Sequence, residues 1–199
     1  MVLFIISGFS QSGKTTLVSK LLEDKNITRV ITCTTRKPRE GEKNGVDFYF
    51  LREDDFKDKS KFLETAVVHG NYYGTLKREV EEKIRTGKKV IWVLDVQGTD
   101  FVLKNCKDLT GNAVTIFITT DKISTLLERI RMKNDPNIEE RIKSIRKEIN
   151  YLHLYNYIIS TSRTLNESLE DLRSIIYGEK ERIRKIEKFT KSFVVEKFL

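Results

Sequence analysis

Leu3-Phe4-Ile5-Ile6-Ser7-Gly8-Phe9-Ser10-Gln11-Ser12-Gly13-Lys14-Thr15-Thr16-Leu17 is the stretch on which the architecture turns. The apolar run Val2–Ser7 reads as a fully buried strand. Lys14–Asp24 reads as a helix, with Leu17, Val18, Leu21 and Leu22 on one face. Between them, Gly8 to Thr15 fits G-x-x-x-x-G-K-[ST] in full, in the strand–loop–helix context the pattern requires. The glycines let the backbone curl so that successive N–H groups face inward. Those donors and the positive helix N-terminus bind phosphate oxygens. The pattern assigns Lys14 to the β- and γ-phosphates and the Thr15 hydroxyl to Mg²⁺. Gly8, Ser10, Gln11, Ser12, Gly13, Lys14, Thr15 and Thr16 are the candidate nucleotide contacts.

Outward from this loop, apolar strands alternate with helical segments. Strands are expected at Val30–Thr32, Val90–Leu94, Val114–Ile118 and Tyr157–Ser160. Helices are expected at Leu76–Arg85, capped by Thr75 and closed by Gly87, and through Leu126, Leu127 and Ile130. Another is expected from Asp135-Pro136 towards Tyr151, and a closing one over Leu165–Ile176. This alternation predicts an α/β fold of three layers, a parallel sheet covered on both faces. Arg36–Tyr73 breaks the rhythm and reads as a small inserted sheet, with strands at Phe48–Leu51 and Phe62–Val68. In Glu179–Leu199, Ile183, Ile186, Phe189 and Phe193 are near helical spacing, which favours an amphipathic helix packed on the body over a partner-binding tail.

Composition narrows the class. The 199 residues suffice for one core with small subdomains. With 39% hydrophobic and 33% charged residues, and only 2 Pro and 10 Gly, the chain is neither disordered nor fibrous. No apolar run approaches the roughly 18 residues of a membrane span. The run at Val2–Ile6 is too short for a signal sequence, so a cytoplasmic location is expected. Cys33 and Cys106 exclude a disulfide framework, and His69 and His153 leave little for a metal cluster. The net charge of +8 suits an anionic partner (nucleotide phosphates, nucleic acid or acidic lipid) or merely a solvated basic surface.

Two further features carry chemistry. Val90-Ile91-Trp92-Val93-Leu94-Asp95 is an apolar strand ending in an acid, the expected water-mediated support for Mg²⁺ beside the phosphate loop. Thr34-Thr35-Arg36-Lys37-Pro38-Arg39-Glu40-Gly41-Glu42 places Arg36 and Arg39 on a stiffened loop, where two guanidinium groups suit one terminal phosphate.

With the segments GVDFYF, FLETAVVHGNYYGT and LDVQG, these motifs stand in an order that resembles guanylate kinases over nearly all of residues 2–177. The resemblance implies a P-loop NTPase core at 1–33, 76–125 and 143–199, an inserted β-rich GMP-binding domain at 34–75 and a helical lid at 126–142. It implies the reaction ATP + GMP to ADP + GDP, with Mg²⁺ as cofactor, no nucleic acid or membrane partner, and a monomer or homodimer. By that resemblance Glu64 binds the guanine edge, where N1–H and the 2-amino group offer two donors to one carboxylate. Thr32 and Thr75 fall near the base. Arg36, Arg39 and Tyr73 fall at the acceptor phosphate, with Asp95 also on the GMP side. Lys14, Arg36, Arg129 and Arg141 carry the catalytic charge, and Arg131 reads as solvated. An acceptor that is already an anionic phosphate needs no general base, so catalysis rests on positioning and electrostatics.

Some positions depart from the family pattern. Phe48 stands for a Tyr, with Tyr49 expected to face the other way. Val93 stands for an Asp, Lys133 for a lid Arg, Ser160 for an Asn near the adenine, and Thr119-Thr120 for Pro-Pro. These departures keep two alternatives open: a catalytically weakened binding module, or a kinase preferring dGMP. The intact Lys14-Thr15 pair favours an enzyme.

Overall fold

The structure is a computed structural model and describes residues 3–68, 70–132, 138–178 and 184–190. It divides into two compact units, Met1–Ile5 with Asn26–Ala113, and Ile6–Lys25 with Val114–Leu199. Strand β1 (Leu3–Gly8) belongs to both. The main sheet has five strands in the order β2-β7-β1-β8-β9, with β2 at Ile27–Arg29, β7 at Lys89–Val93, β8 at Val114–Thr119 and β9 at Tyr157–Ser160. β2 pairs parallel with β7 (Ile27 opposite Lys89), and β8 parallel with β9 (Ile116 opposite Tyr157).

In the first unit a second sheet has the order β4-β3-β6-β5, formed by β3 (Cys33–Thr34), β4 (Tyr49–Phe50), β5 (Phe62–Val68) and β6 (Asn71–Leu76). β5 and β6 form an antiparallel hairpin with Glu64 opposite Thr75. Its turn uses Gly70 at φ 75°, a left-handed backbone that glycine adopts without a Cβ penalty. Helix α2 (Lys77–Arg85) follows β6; α3 (Val96–Asn105) and the short α4 (Lys107–Thr110) follow β7. Alternation along β7 puts Val90, Trp92 and Leu94 into one apolar cluster with Leu3, Ile5, Val30, Val80 and Val102. The small sheet closes over Cys33, Phe56 and Phe62, and the Phe56 and Phe62 rings stack at 4.9 Å.

In the second unit α1 (Lys14–Leu21) follows the phosphate loop, and α5 (Ile123–Met132) and α6 (Ile138–Glu148) lie between β8 and β9 in sequence. Helix α7 (Leu165–Tyr177) starts on a reciprocal Thr164–Glu167 capping box and ends at Gly178, φ 77°. Phe9 meets Phe117 edge-on at 4.7 Å, and Phe117 meets Tyr155 at 5.0 Å, an apolar floor beneath the loop. Residues 184–190 are helical, with Ile186 buried, and the Ile158 N–H on β9 donates to Thr190 Oγ1 at 2.9 Å. This supports the packed reading of that segment; Ile183 and Phe193 lie outside the described residues.

Two sequence expectations are corrected, and one helix is found that none anticipated. The strand expected at Val30–Thr32 lies three residues earlier, at Ile27–Arg29, where only Ile27 is apolar and buried. Thr75 does not cap α2. It is the fifth residue of β6, and Leu76 holds the cap position without a side-chain bond. The helix α3 went unassigned, because its first turn holds Gly98 and Thr99, both poor helix formers, and because Asp95 was read for chemistry when it also caps that helix. The expected helix start at Asp135-Pro136 lies outside the described residues, as does Lys133.

Candidate active site

The phosphate loop is shaped by its backbone. Gln11 at φ 62° and Gly13 at φ 85° are left-handed, and the Ser12 N–H donates back to the Phe9 carbonyl at 3.1 Å. A Cβ on Gly8 would lie 2.3 Å from the Ile118 carbonyl oxygen, so only glycine fits between the loop and β8. Gly13 precedes α1 without capping it through a side chain, and the first turn carries no acid. The amides that open this helix are therefore disposed towards an anion. Ser12 Oγ is buried and, among the described residues, has no hydrogen-bond partner. An orphaned buried hydroxyl costs about 1–3 kcal/mol, which a phosphate oxygen would offset. Lys14 Nζ donates to the Gly8 carbonyl at 3.3 Å, and Thr15 and Thr16 are exposed on the first turn.

The same unit brings both expected lid arginines towards this loop. Arg129 donates to Thr161 Oγ1 (3.0 Å) and to the Thr161 carbonyl (2.9 Å), and Thr161 Oγ1 donates to the Ser12 carbonyl (2.7 Å). Arg141 Nη1 donates to Ser10 Oγ at 2.6 Å. Arg131 is exposed, in keeping with a solvated role. A pocket of about 200 Å³ is lined by Gly13, Thr16, Leu17, Arg129 and Thr161 among others. Ser160 is buried and lines a separate cavity with Asp121, Arg163 and Lys185. Thr161 was missed in the sequence, where a lone Thr after a strand carries no signal.

The other unit holds a different arrangement, made of side chains. Glu64 is 6% exposed, and its Oε1 accepts the Thr75 hydroxyl at 2.7 Å. Burial pushes its carboxyl up to about 7; the Thr75 bond opposes that rise and the Asp95 charge adds to it. Oε2 faces Gly98: a Cβ built there would lie 3.6 Å from it. Asp95 caps α3 through Oδ1 to the Gly98 N–H at 2.8 Å. Gly74 is also obligatory, since a Cβ would meet the Phe62 ring at 2.9 Å and the Glu64 carbonyl at 3.0 Å. Thr32 is half-buried between β2 and β3 and offers its carbonyl to the Tyr49 N–H (2.9 Å); it is not among the described partners of Glu64 or Thr75.

Arg36 is held by Glu42, whose two carboxylate oxygens each lie 2.9 Å from Nη2. Its guanidinium stands 5.5 Å from the centre of the Phe48 ring, and Phe48 meets Tyr73 edge-on at 6.2 Å. Phe48 thus fills its place by packing against Arg36 rather than by donating a hydrogen bond. Tyr49 does face the other way, donating to Glu79 Oε2 at 3.1 Å. Buried Glu79 also accepts the Ile31 N–H at 3.0 Å, tying the root of the small sheet to α2. Arg39 is exposed, and its backbone N–H donates to Glu42 at 2.7 Å. Glu42 and Glu79 had no role in the sequence reading, although Glu42 sits six residues after Arg36 in a quoted motif.

The hard oxygen donors of the kind magnesium requires are the exposed Thr15 hydroxyl in the second unit and, in the first, the Asp95 carboxylate. Mg²⁺ typically takes one or two protein groups with phosphates and water. Among the described residues no group of three His, Cys, Asp or Glu could hold a metal alone. Each donor by itself is of the kind that suits an ion carried mainly by nucleotide phosphates.

Comparison with known proteins shows the family. The guanylate kinase family profile matches residues 1–179. The guanylate kinase of Clostridium tetani is 41% identical over 93% of this chain and 89% of its own length. That of Fusobacterium nucleatum is 40% identical over 87% and 95%. The crystal structure of guanylate kinase from Anaplasma phagocytophilum superposes with a TM-score of 0.70 at 27% identity, covering 90% of this chain and 86% of that one. Shikimate kinase from Bacteroides thetaiotaomicron, at 14% identity and a TM-score of 0.51, shares the fold alone.

Proposed function

The chain belongs to the guanylate kinase family and is a nucleoside monophosphate kinase, and from that premise we propose how its residues divide the work of passing the γ-phosphoryl group of ATP to GMP. The observation that carries the acceptor reading is the buried Glu64 carboxylate, held by Thr75 on one oxygen and facing side-chain-free Gly98 with the other. Guanine offers N1–H and a 2-amino group on one edge, a match for a carboxylate. Adenine lacks that donor pair, and a site built on polar pairing rejects a wrong base because its buried groups stay unsatisfied. Arg36, fixed by Glu42, receives the acceptor phosphate with Arg39 and Tyr73, and Thr32 lies towards the base.

ATP phosphates occupy the loop from Gly8 to Thr16. Lys14 meets the β- and γ-phosphates, and Arg129 and Arg141 exchange their bonds to Thr161 and Ser10 for phosphate oxygens. Thr15 and Asp95 are the residues that would hold Mg²⁺, the latter partly through water, and the ion would supply charge neutralisation on the phosphates. The insert at 34–75 is the GMP-binding domain and 126–142 the lid. No helix among the described residues is long and apolar enough to cross a membrane, and the reading places the enzyme in the cytoplasm.

The test is a coupled assay of ADP release from Mg-ATP with GMP, dGMP, AMP, CMP and UMP as acceptors. GMP is expected to lead, and the dGMP arm measures ribose selectivity. Absence of GMP-stimulated ADP release, with no GMP binding in calorimetry, overturns the reading.

A further inference from the structure

Trp92 is the single tryptophan of the chain and is fully buried among Val80, Val90, Val102 and their neighbours. Packing alone would suit any large apolar side chain. Its indole N–H, however, donates to Thr75 Oγ1 at 3.1 Å. An indole N–H only donates, whereas a hydroxyl has one proton and two lone pairs. The contact therefore takes one Thr75 lone pair and directs its proton elsewhere, to Glu64 Oε1 at 2.7 Å. With Glu64 ionised, each group along the line from Trp92 through Thr75 to Glu64 has one permitted direction of donation.

We propose that Trp92 is a positioning residue for base selectivity: by fixing the buried Thr75 as a donor to Glu64 Oε1, it holds the carboxylate in one orientation with Oε2 as an acceptor only. Such a pocket selects a purine edge made only of donors, N1–H with a 2-amino group. A base lacking the 2-amino group, as in IMP, leaves an acceptor unmatched, and a base presenting an acceptor there meets acceptor with acceptor. Without the indole N–H, the Thr75 hydroxyl is free to turn away from Oε1, the Glu64 carboxylate loses its fixed orientation, and the preference relaxes. This inference rests on reading Glu64 as the base-recognising carboxylate.

The experiment measures steady-state kinetics of the full chain with GMP and with IMP, at saturating Mg-ATP. Trp92 is replaced by Phe and, separately, by 3-benzothienylalanine, which keeps the bicyclic volume but has sulfur in place of N–H. Loss of one hydrogen bond of about 1.4 kcal/mol corresponds to tenfold in affinity. The expected result is a roughly tenfold rise in KM for GMP and an equal contraction of the GMP-to-IMP preference in both variants. The kcat for GMP and KM for ATP stay unchanged. A benzothienyl variant that keeps the full preference overturns the proposal, whether or not the Phe variant is destabilised. If Glu64→Gln abolishes the preference while Trp92 replacement does not, the relay alone fails. If Glu64→Gln leaves the preference intact, the Glu64 reading fails and the relay with it.

Discussion

On the proposed reading, the two units handle phosphate-bearing ligands by different means. Around Gly8–Thr16 the recognising groups are mainly backbone amides, set by two left-handed residues and by a glycine pressed against Ile118. Around Glu64 and Arg36 they are side chains, each locked by another: Glu64 by Thr75, Thr75 by Trp92, Arg36 by Glu42. Backbone amides read charge, which every nucleoside triphosphate carries. Fixed side-chain acceptors read a base. On the proposed reading, the difference puts selectivity with the acceptor and leaves the donor loop to contribute general affinity and charge stabilisation.

The contrast breaks first, and most strongly, at Lys14. On the proposed reading its ammonium stabilises charge on the transferring group more than on ground-state ATP, so Lys14→Ala is expected to lower kcat by about 10²-fold or more. Single-turnover rates check this; a near-normal kcat with a raised KM for ATP would make Lys14 a binding residue only.

Next in size is the pH response of the acceptor side. Burial lifts the Glu64 carboxyl to about 7 in the unliganded protein. Guanine's donors require the ionised form, so GMP affinity is expected to fall by up to about tenfold per pH unit below that value. Calorimetry from pH 5.5 to 8 checks it, with Glu64→Gln as the control that cancels titration of the GMP phosphate. The same shift acts on stability. A carboxyl raised in the folded state stabilises fully below its ordinary value near 4.5, and that contribution is lost as pH rises through 7. Glu64→Gln is therefore expected to have the higher Tm at pH 8, with the gap closing towards pH 4. A gap independent of pH contradicts the assignment.

A smaller and separable pair of effects comes from the glycines. Gly8→Ala and Gly74→Ala each force a shift of neighbouring atoms, costing about 1–3 kcal/mol of stability. The first is expected to weaken ATP alone and the second GMP alone, because the Gly74 Cβ would press on Phe62 and on the Glu64 carbonyl. Equal loss of both ligands in either variant would mean that the two halves are not independent.

The ease of reading each half from sequence follows the same division. The donor loop is one contiguous stretch whose spacing fixes its conformation, and its strand and helix emerged close to their observed limits. The acceptor half is assembled from the β3 region, the β5–β6 hairpin, β7 and the start of α3. Glu64 was legible only through the ordered motifs, whereas Arg36 was legible also from its place with Arg39 on a stiffened loop. Thr75 was given a capping role as well, because Thr before a periodic segment reads as a helix start. Trp92 read as core, which it is, and nothing local says that its N–H meets a hydroxyl 17 residues earlier. Glu79 carried no signal either, since a charged residue on an amphipathic helix is normally solvated.

The smallest effect is expected at Val93, half-buried at the end of β7. Val93→Asp adds a carboxylate on the alternation that also carries Asp95. A slightly lower magnesium concentration for half-maximal rate is expected, together with a small loss of stability from a partly buried charge. A magnesium titration of kcat in both forms checks it, and an unchanged midpoint would remove position 93 from the metal's surroundings.

The claim that selectivity lies with the acceptor is tested most directly by Glu64→Gln, comparing kcat/KM for GMP and for AMP while monitoring KM for ATP. The swap replaces one acceptor oxygen by a donor facing guanine's donors. It is expected to weaken GMP by roughly 2–4 kcal/mol, a factor of about 30 to 1,000. AMP usage and KM for ATP stay where they were, so the preference for GMP collapses. A variant that keeps its preference for GMP, or that loses ATP and GMP equally, contradicts the claim.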